Sequence, residues 1–427
     1  MKANDPRLKT FCPLPWNHLS VGPEGKGRVC CDGYDFLKDE QGHFLFWKEV
    51  KDLRSYFNSK DYKRIRRQML NGERPKHCFH CFKQEDHGVK SIRLQYLDQY
   101  QKDIKKMIKN TNSDGSVDHP KIAYLDMALG NKCNLKCRMC SPWNSYIIGK
   151  DWKKAGISYS EESAEKIFKD KWYSSSNTFN LIKQALPDIR AIFTTGGEPL
   201  IVKEHLKILK MIIEKGHAHH IILRYNSNQT VIPNDIVKMW KFFKEIQFNC
   251  SVEAYGELNN YIRYPSQWKR QEENIYYLDR LAVENSNIKV FIHTTLQAYN
   301  VIKLPQLLYF LRHASFKKLN RFPFFIWVRK PEYLNPSIFP KDMRVRISNV
   351  ILKSLDEHES FFLKCNKDNV DWISEKIQVL KDFCEMIKND DSQEKHLPEF
   401  VIKTKQMDKV RNQSVLNVLP ELKEYFA

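Results

Sequence analysis

Three cysteines within eight residues constrain this chain more than any other feature. Cys133, Cys137 and Cys140 are separated by three and by two residues, and they follow an apolar run that predicts a strand. Three thiolates at this spacing can converge on one cluster from a single loop, and a [4Fe–4S] cluster normally takes four cysteine ligands. Three ligands leave one iron open to an exchangeable group, as catalysis requires. A zinc site or a chance grouping is the alternative.

The remaining cysteines separate into a clustered group and a scattered one. The chain has 11 cysteines, and an odd number without a secretion signal argues against a disulfide framework. Short spacings in a reducing compartment instead indicate a metal or iron–sulfur centre. The clustered group is Cys12, Cys30, Cys31, Cys78 and Cys81. The scattered group, Cys250, Cys365 and Cys384, is expected to fill cores as small apolar residues.

The composition indicates a charged, globular chain. Its 427 residues exceed one core of ordinary size, so we expect a large domain with smaller satellites. No run of about 18 apolar residues occurs, and the start MKANDPRLKTF lacks an apolar signal region, so we expect a cytoplasmic location and no membrane partner. The net charge of +19 suits an acidic partner such as nucleic acid, a phosphorylated substrate or an acidic peptide, although Lys and Arg are spread along the whole chain.

Periodicity divides the chain into four regions. We assign residues 1–108 to an N-terminal domain, 109–119 to a polar linker, 120–340 to an α/β domain and 341–427 to a helical region. In 120–340, short apolar runs alternate with helical patterns, which predicts βαβ units and a partial (β/α)6 TIM-like barrel. The candidate strands are Ile122–Leu129, Ala191–Thr195, Ile221–Tyr225, Ile246–Val252, Lys289–Leu296 and Pro323–Val328.

Two helices are predicted together with their buried faces. The apolar face of the first, residues 60–70, carries Tyr62, Ile65, Met69 and Leu70. Its opposite, solvated face is expected to carry Lys63, Arg64, Arg66 and Arg67. The second helix has an apolar stripe formed by Ile373, Ile377, Leu380, Cys384 and Ile387. This stripe predicts a packing role for Cys384.

The cysteine triplet and a second segment resemble one enzyme superfamily. Cys-x3-Cys-x2-Cys after the first strand of a βα barrel is similar to the radical S-adenosylmethionine (SAM) superfamily. Thr195-Gly196-Gly197-Glu198-Pro199, after the second predicted strand, resembles that family's GGEP segment. The resemblance implies that Gly196, Gly197, Glu198 and Pro199 hold the methionyl amino group of SAM. Glycines admit close backbone approach, and a carboxylate suits an ammonium.

Later segments extend the resemblance. Asn228 and Thr230 match the family's TNGT-type segment, although Gln229 replaces its glycine. Ser251 matches a Ser-x-Asp-Gly segment, in which Glu253 replaces the aspartate. Arg263 matches the basic residue that meets the carboxylate of SAM. The resemblance therefore implies SAM contacts at Asn228, Ser251 and Arg263. An ordinary βα loop with capping residues is the alternative, and Asn300 is a weaker candidate for an adenosine contact.

The N-terminal cysteines resemble the SPASM/twitch auxiliary-cluster domain of the same superfamily. The Gly-x-Val-x-Cys piece of Gly27-Arg28-Val29-Cys30-Cys31-Asp32 predicts a hairpin that presents a thiolate just past its second strand, and Cys78-x2-Cys81 has the usual two-ligand spacing. The resemblance implies an auxiliary [4Fe–4S] cluster on Cys12, Cys30, Cys78 and Cys81, with Cys31 as a spare or substitute ligand. A zinc ribbon is the alternative, because four thiolates suit Zn²⁺ equally well.

The resemblance implies an enzyme of oxidoreductase or transferase type with two [4Fe–4S] clusters and SAM. Such an enzyme cleaves SAM reductively, and the 5′-deoxyadenosyl radical abstracts a substrate hydrogen. We expect a peptide or protein substrate, or a small anionic one, and a flavodoxin- or ferredoxin-type electron donor. The charge keeps RNA modification open, which predicts a contiguous basic face with stacking aromatics. A non-enzymatic zinc-binding interaction protein is the third alternative.

Overall fold

A computed structural model describes residues 6–86, 90–328, 330–365 and 369–426. Its strands are β1 (His18–Val21), β2 (Gly27–Arg28), β3 (Tyr124–Ala128), β4 (Ala191–Thr195), β5 (Ile222–Ser227), β6 (Glu245–Ser251), β7 (Ile288–Leu296) and β8 (Asn320–Trp327). Its α-helices are α1 (Leu14–Asn17), α2 (Leu53–Phe57), α3 (Lys60–Leu70), α4 (Phe79–Asp86), α5 (Ile92–Gln99), α6 (Ile104–Lys109), α7 (Ile148–Lys154), α8 (Glu161–Lys169), α9 (Ser176–Ala185), α10 (Lys203–Glu214), α11 (Asn234–Trp240), α12 (Glu257–Ile262), α13 (Trp268–Glu284), α14 (Leu304–His313), α15 (Lys341–Cys365), α16 (Val370–Asn389), α17 (Leu397–Arg411) and α18 (Lys423–Phe426).

The strands form an eight-stranded sheet in the order β2-β1-β3-β4-β5-β6-β7-β8. Within it β2 is antiparallel to β1, whereas β1 and β3, β3 and β4, β6 and β7, and β7 and β8 pair in parallel. All six predicted strands are confirmed, with ends that differ by a few residues. The partial-barrel fold class and the helical C-terminal region are likewise confirmed. None of the helices in the described ranges is long and apolar enough to cross a membrane.

Chain contacts divide the molecule into two compact units. The first unit comprises Met1–Asn131, Lys166–Arg224 and Phe242–Lys244, and the second comprises Lys132–Glu165, Tyr225–Lys241 and Glu245–Ala427. The predicted N-terminal hairpin is present as β1 and β2, which belong to the first unit together with β3. Register pairs His18 with Tyr124 and Ser20 with Asp126, so the N-terminal segment adds strands to the same sheet as the predicted barrel.

Burial alternates along β4 of the first unit and along β6 and β7 of the second. In β4, Ile192 and Thr194 are buried, while the residues between and beside them are half-buried. In β6 and β7 the same alternation recurs along nearly the whole strand. Because successive side chains of a strand point to opposite faces, one face of these strands is buried and the other is half-buried. In β1 and β3 of the first unit, by contrast, the residues of both faces are almost all buried.

In the first unit, α3 matches its predicted bounds, but one residue lies on the other face from that expected. Tyr62, Ile65 and Met69 are buried as predicted, yet Arg66 is also fully buried. Its guanidinium donates from Nε and Nη2 to the Pro15 carbonyl at 3.0 and 2.9 Å, and from Nη1 to the Gly115 carbonyl at 3.2 Å. A buried arginine is stable when its donors find acceptors, so helical periodicity alone misassigned it.

The predicted linker, residues 109–119, is a packed turn in the first unit. Thr111 and Val117 form an isolated antiparallel bridge, and the Asn58 side chain donates to the Val117 carbonyl at 2.9 Å. A Cβ on Gly115 would lie 2.2 Å from the Lys63 carbonyl oxygen, so only glycine admits this close approach. The polar composition therefore marks a tight turn against α3.

The second unit carries the long C-terminal helices. In α16 the predicted stripe is confirmed, because Ile373, Ile377, Leu380, Cys384 and Ile387 are all buried. Helix α15 packs against α16, and the Ser348 hydroxyl donates to the Cys384 carbonyl at 2.9 Å. Arg344 is fully buried and donates to the Ile387 carbonyl at 2.8 Å, near the end of α16. The packing role predicted for Cys384 agrees with these contacts, and Cys250 is buried as predicted, but the prediction is wrong for Cys365, which is exposed at the end of α15.

Candidate metal centre

The cysteine triplet lies on a loop of the second unit that is held by backbone hydrogen bonds. The Lys136 N–H donates to the Tyr264 carbonyl at 2.6 Å, and the Arg138 N–H donates to the Ile262 carbonyl at 2.8 Å. The Ser145 hydroxyl donates to the Leu135 carbonyl at 2.6 Å. The residues on both sides of Cys137 are therefore bonded to Ile262 and Tyr264, the two neighbours of Arg263 at the end of α12.

The three thiols of this loop differ in exposure. Cys137 is buried, whereas Cys133 and Cys140 are half-buried. Burial raises the pKa of the Cys137 and Cys140 thiols, and the nearby Arg263 guanidinium opposes this rise at both. Metal binding must remove these protons, so a neighbouring cation favours the thiolate that a cluster needs. Soft sulfur donors on one short loop fit an iron–sulfur group.

Asn228 joins the end of β5 to this loop. Its Nδ2 donates to Asn134 Oδ1 at 2.9 Å and lies 3.9 Å from the Cys133 sulfur. Its Oδ1 accepts from the Thr230 N–H at 3.0 Å, and Asn134 Nδ2 donates to Thr230 Oγ1 at 2.7 Å. Gln229 between them has a positive φ of 43°, a conformation that glycine adopts most easily. The structure thus brings Asn228 together with the cysteine loop.

Arg263 is buried beside an acidic partner. Its Nη1 donates to Glu253 Oε1 at 2.7 Å, and Glu253 Oε2 accepts from the Thr295 N–H at 2.8 Å. Burial raises the pKa of Glu253, and the Arg263 guanidinium opposes that rise. Among the described residues, Arg263 Nε has no hydrogen-bond partner although it is buried. An unpaired buried donor is costly, so this atom is suited to an acceptor supplied by a ligand.

The other two candidates of this unit differ in how they are engaged. Ser251 ends β6 with a half-buried side chain, and its carbonyl accepts from Gln229 Nε2 at 3.3 Å. The Asn300 side chain is fully buried; it donates to the Glu253 and Thr295 carbonyls at 2.8 and 2.9 Å and accepts from the Gln297 N–H at 2.8 Å. Asn300 therefore closes a turn within the chain, and these bonds occupy its amide.

The Gly196–Pro199 segment belongs to the first unit, where it follows β4. Gly196 has a φ of 120°, and a Cβ there would lie 2.7 Å from the Leu129 nitrogen and 2.8 Å from the Gly130 oxygen. The Gly197 N–H donates to the Gly130 carbonyl at 3.0 Å. Glu198 is buried and accepts from the Leu200 N–H at 3.1 Å. Gly196 is thus required by close backbone contact with the end of β3, and the Glu198 carboxylate is held by the Leu200 N–H.

The N-terminal cysteines meet in the first unit although three chain segments carry them. Cys12, Cys30, Cys78 and Cys81 are all buried, whereas Cys31 is exposed. Burial raises the pKa of the Cys12 thiol to about 12 and of the Cys81 thiol to about 11. It also raises the pKa of Cys30, whose thiol is within electrostatic range of the other three. Within the described ranges, however, no three His, Cys, Asp or Glu side chains already have metal-binding geometry, at this site or at the cysteine loop.

Two further groups of residues were not predicted from the sequence. In the second unit, the cysteine loop is bonded to α17 through buried charges at Arg138, Asp151, Asp408 and Arg411. Only the position of Arg138 between two cysteines could have drawn attention to it. Its partner Asp408 lies 270 residues later in the chain, and no local pattern links the two.

The second group lies on one face of the first unit's sheet, around Asp126. Asp126 is 5% exposed and accepts from the Ser20 hydroxyl at 3.1 Å. Burial raises its pKa to about 7, which the Ser20 hydrogen bond and the Arg28 guanidinium oppose. The Arg224 guanidinium lies 5.5 Å from the centre of the Tyr124 ring. No local pattern in β3 indicates a buried carboxyl at this position.

Comparison with protein families matches residues 127–302 to the model of the Radical SAM superfamily. No curated protein matches the chain. Among solved structures, the chain is similar to native anSMEcpe with bound AdoMet, at 14% identity and a TM-score of 0.37, over 55% of this chain and 61% of that one. Streptococcus suis SuiB bound to S-adenosylmethionine matches at 14% identity and a TM-score of 0.34, over 70% of this chain and 64% of that one.

A third match is Streptococcus suis SuiB bound to precursor peptide SuiA, at 13% identity and a TM-score of 0.34, over 80% of this chain and 71% of that one. The chain thus spans about three fifths of the length of anSMEcpe. The family match begins within β3 and covers the cysteine loop, the Gly196–Pro199 segment, Asn228, Ser251 and Arg263.

Proposed function

On the premise that residues 127–302 form a radical SAM domain, we propose that the protein is a radical SAM enzyme. Its catalytic [4Fe–4S] cluster would be held by Cys133, Cys137 and Cys140. The observation that carries the proposal is the loop itself. Three thiols lie on a segment whose backbone is fixed on both sides of Cys137, and the buried cation Arg263 is within electrostatic range of two of them. When bound, a [4Fe–4S] cluster supplies the electron that cleaves SAM to a 5′-deoxyadenosyl radical, which removes a substrate hydrogen.

Arg263 is the residue that we assign to the carboxylate of SAM. Its Nη1 is bonded to Glu253, while its buried Nε lacks a partner among the described residues. A ligand carboxylate would satisfy this donor and form a charge-assisted hydrogen bond. Asn228 and Ser251 are proposed as further contacts, at the ends of β5 and β6. The ends of neighbouring parallel strands are where α/β folds bind their ligands.

The Gly196–Pro199 segment is proposed to receive the amino group of SAM. Gly196 lets the segment pack against the backbone of Leu129 and Gly130, and Glu198 presents a buried carboxylate whose orientation is fixed by the Leu200 N–H. An ammonium group is stabilised by such a preorganised anion because no side-chain freedom has to be lost on binding. These features support the same assignment that the sequence resemblance implies.

We assign the auxiliary cluster to Cys12, Cys30, Cys78 and Cys81. Their burial and mutual electrostatic proximity support a shared metal. The Cys30 thiol is within electrostatic range of Cys12, Cys78 and Cys81, whereas the strongest charged neighbours of the Cys31 thiol are Asp126 and Asp32, which supports Cys30 as the ligand of that pair. Zinc is the alternative metal for the same four thiolate ligands. Cys30→Ser should therefore lose the auxiliary metal whereas the matched Cys31→Ser should retain it, as read by iron and zinc content. Loss of metal in both variants, or only in Cys31→Ser, would contradict this assignment.

The substrate is proposed to be a peptide or protein. The face of the first unit's sheet that carries Asp126 also carries Arg28 and Arg224, so an acidic group and two basic groups lie there. A peptide presents both signs of charge, whereas a buried carboxyl disfavours the continuous phosphates of RNA. A small anionic substrate would contact the two arginines but not Asp126. Asp126→Asn therefore distinguishes the two substrate classes, because it should impair turnover of a peptide only.

The electron donor is proposed to be of flavodoxin or ferredoxin type.

The central test is anaerobic reconstitution of the full chain with iron and sulfide, followed by reduction in the presence of SAM. Production of 5′-deoxyadenosine by the wild type, and its loss in Cys137→Ala, would support the proposal. Cys384→Ala is the matched control, because that cysteine is buried in α16, and it should keep the activity. Absence of cleavage in the wild type with both clusters assembled would refute the proposal. Stoichiometric zinc without iron would favour the zinc-binding alternative.

A further inference from the structure

We propose that helix α17 positions the cysteine loop, and that Asp408 and Arg411 are its positioning residues. The two lie three residues apart, on one face of the helix. One contacts the residue after Cys137, and the other contacts the residue before it. The consequence for catalysis rests on the proposed function. The claim that α17 holds the cysteine loop in position rests only on contacts within the second unit.

Asp408 holds the residue that follows Cys137. The Arg138 guanidinium donates from Nη2 to Asp408 Oδ1 at 2.5 Å and from Nε to the Tyr261 carbonyl at 3.2 Å. It also lies 3.7 Å from the centre of the Tyr261 ring, whose hydroxyl donates to the same Asp408 oxygen at 2.9 Å. The other oxygen, Oδ2, accepts from the Val415 N–H at 2.7 Å. The Asp408 carboxylate is therefore bonded to the cysteine loop, to α12 and to the segment that follows α17.

Arg411 holds the residue that precedes Cys137. Its Nη2 donates to the Lys136 carbonyl at 2.7 Å, and its Nε donates to Asp151 Oδ2 at 3.0 Å. Lys136 Nζ donates to the other oxygen of Asp151 at 2.8 Å. Arg411, Asp151 and Asp408 are each at most 9% exposed. Cys137 thus lies between two residues that are tied to one helix turn by buried charges.

These contacts indicate positioning because of where they act. A helix that merely covered the core would bury apolar residues, as α17 does with Phe400 and Met407. Buried charges contribute little net stability when compared with apolar packing, but they impose geometry and register. Here they act on the backbone and side chains beside a single cysteine. Thiol positions must be accurate if three ligands are to share one cluster.

The first experiment measures amide hydrogen exchange in the cluster-free full chain. Asp408→Asn keeps the shape of the side chain but removes its charge, and Arg411→Met removes the contact with Lys136. We expect either change to increase exchange within residues 133–140 by about 10- to 100-fold, the range that loss of a charged hydrogen bond predicts. Ser348→Ala is the matched control. It breaks the buried bond from Ser348 to the Cys384 carbonyl in the same unit, and neither residue contacts Arg138 or Lys136.

The second experiment loads the same variants with iron and sulfide. We expect faster loss of iron to a chelator, and an altered electron paramagnetic resonance signal of the reduced cluster, in Asp408→Asn but not in Ser348→Ala. Asp408→Glu, which restores the charge, should recover part of both. Unchanged exchange and iron retention in Asp408→Asn and Arg411→Met, with lowered thermal stability alone, would overturn the inference. Altered loop exchange in a protein that never cleaves SAM would uphold the positioning role and refute the proposed function instead.

Discussion

The two cysteine groups of this chain use the same side chain in contrasting settings. The loop thiols come from one short segment, two of them are half-buried, and the nearby cation Arg263 favours their ionised forms. The N-terminal thiols come from three segments, and Cys12, Cys30, Cys78 and Cys81 are all buried. A partly open loop suits a metal that must exchange a ligand, whereas a closed set suits a saturated metal. The difference indicates that the two groups have different tasks.

The largest expected effect separates the two groups by metal content. Replacing Cys133, Cys137 and Cys140 by alanine should abolish SAM cleavage and leave about four iron atoms per chain, the content of one [4Fe–4S] cluster. The matched change, alanine at Cys12, Cys78 and Cys81, should leave the loop iron in place. Iron and sulfide analysis with electron paramagnetic resonance measures both. If either triple variant loses all iron, the two groups do not bind independently.

A smaller effect is expected at Arg263, the cation that distinguishes the loop. Arg263→Leu should raise the KM for SAM by about 10- to 100-fold, because a charge-assisted hydrogen bond is lost, and Arg263→Lys should lie between. The change also leaves buried Glu253 without its ion pair, which costs about 3–5 kcal/mol of folding stability. The double variant Arg263→Leu/Glu253→Gln separates the two effects. Its KM should stay raised although its stability recovers; a normal KM would exclude Arg263 from SAM binding.

The smallest effect concerns acid sensitivity in the unit of the N-terminal cysteines. His18 is fully buried, its ring stacks on Tyr124 at 4.5 Å, and burial lowers its pKa to about 3. Below the ordinary value of 6.5 the unfolded chain binds a proton that the folded one excludes. This single group should therefore reduce the free energy of unfolding by nearly 1.4 kcal/mol per unit as the pH falls below about 6.

Urea unfolding of the cluster-free chain at pH 7.5, 6.5 and 5.5 measures this slope. His18→Phe keeps an aromatic ring against Tyr124 and should give a shallower dependence on pH. His205, also in the first unit and fully buried, has its pKa lowered to about 4 and serves as a comparison site. An unchanged slope in His18→Phe would mean that His18 does not remain neutral in the folded state.

Local signals predicted most elements and failed where a partner lies far away in the chain. The apolar runs located all six barrel strands, and helical spacing located α3 and α16. The same spacing predicted a solvent-exposed Arg66, but Arg66 is buried and donates to the carbonyls of Pro15 and Gly115. Likewise, nothing near Arg138 indicates Asp408. Long-range acceptors leave no periodic trace, because only the fold brings them together.

The sequence by itself determined the chemistry of the candidate site. Cysteine spacing, the paired glycines with Glu198, and the order of strands and helices are local properties, and each follows from the steric and ligand requirements of a few adjacent residues. Tertiary structure alone decided which charges support those residues. It paired Arg263 with Glu253, buried Cys30 while exposing Cys31, and joined α17 to the two neighbours of Cys137. Burial and pairing are defined only by the folded chain, which in the case of α17 brings together residues 270 positions apart.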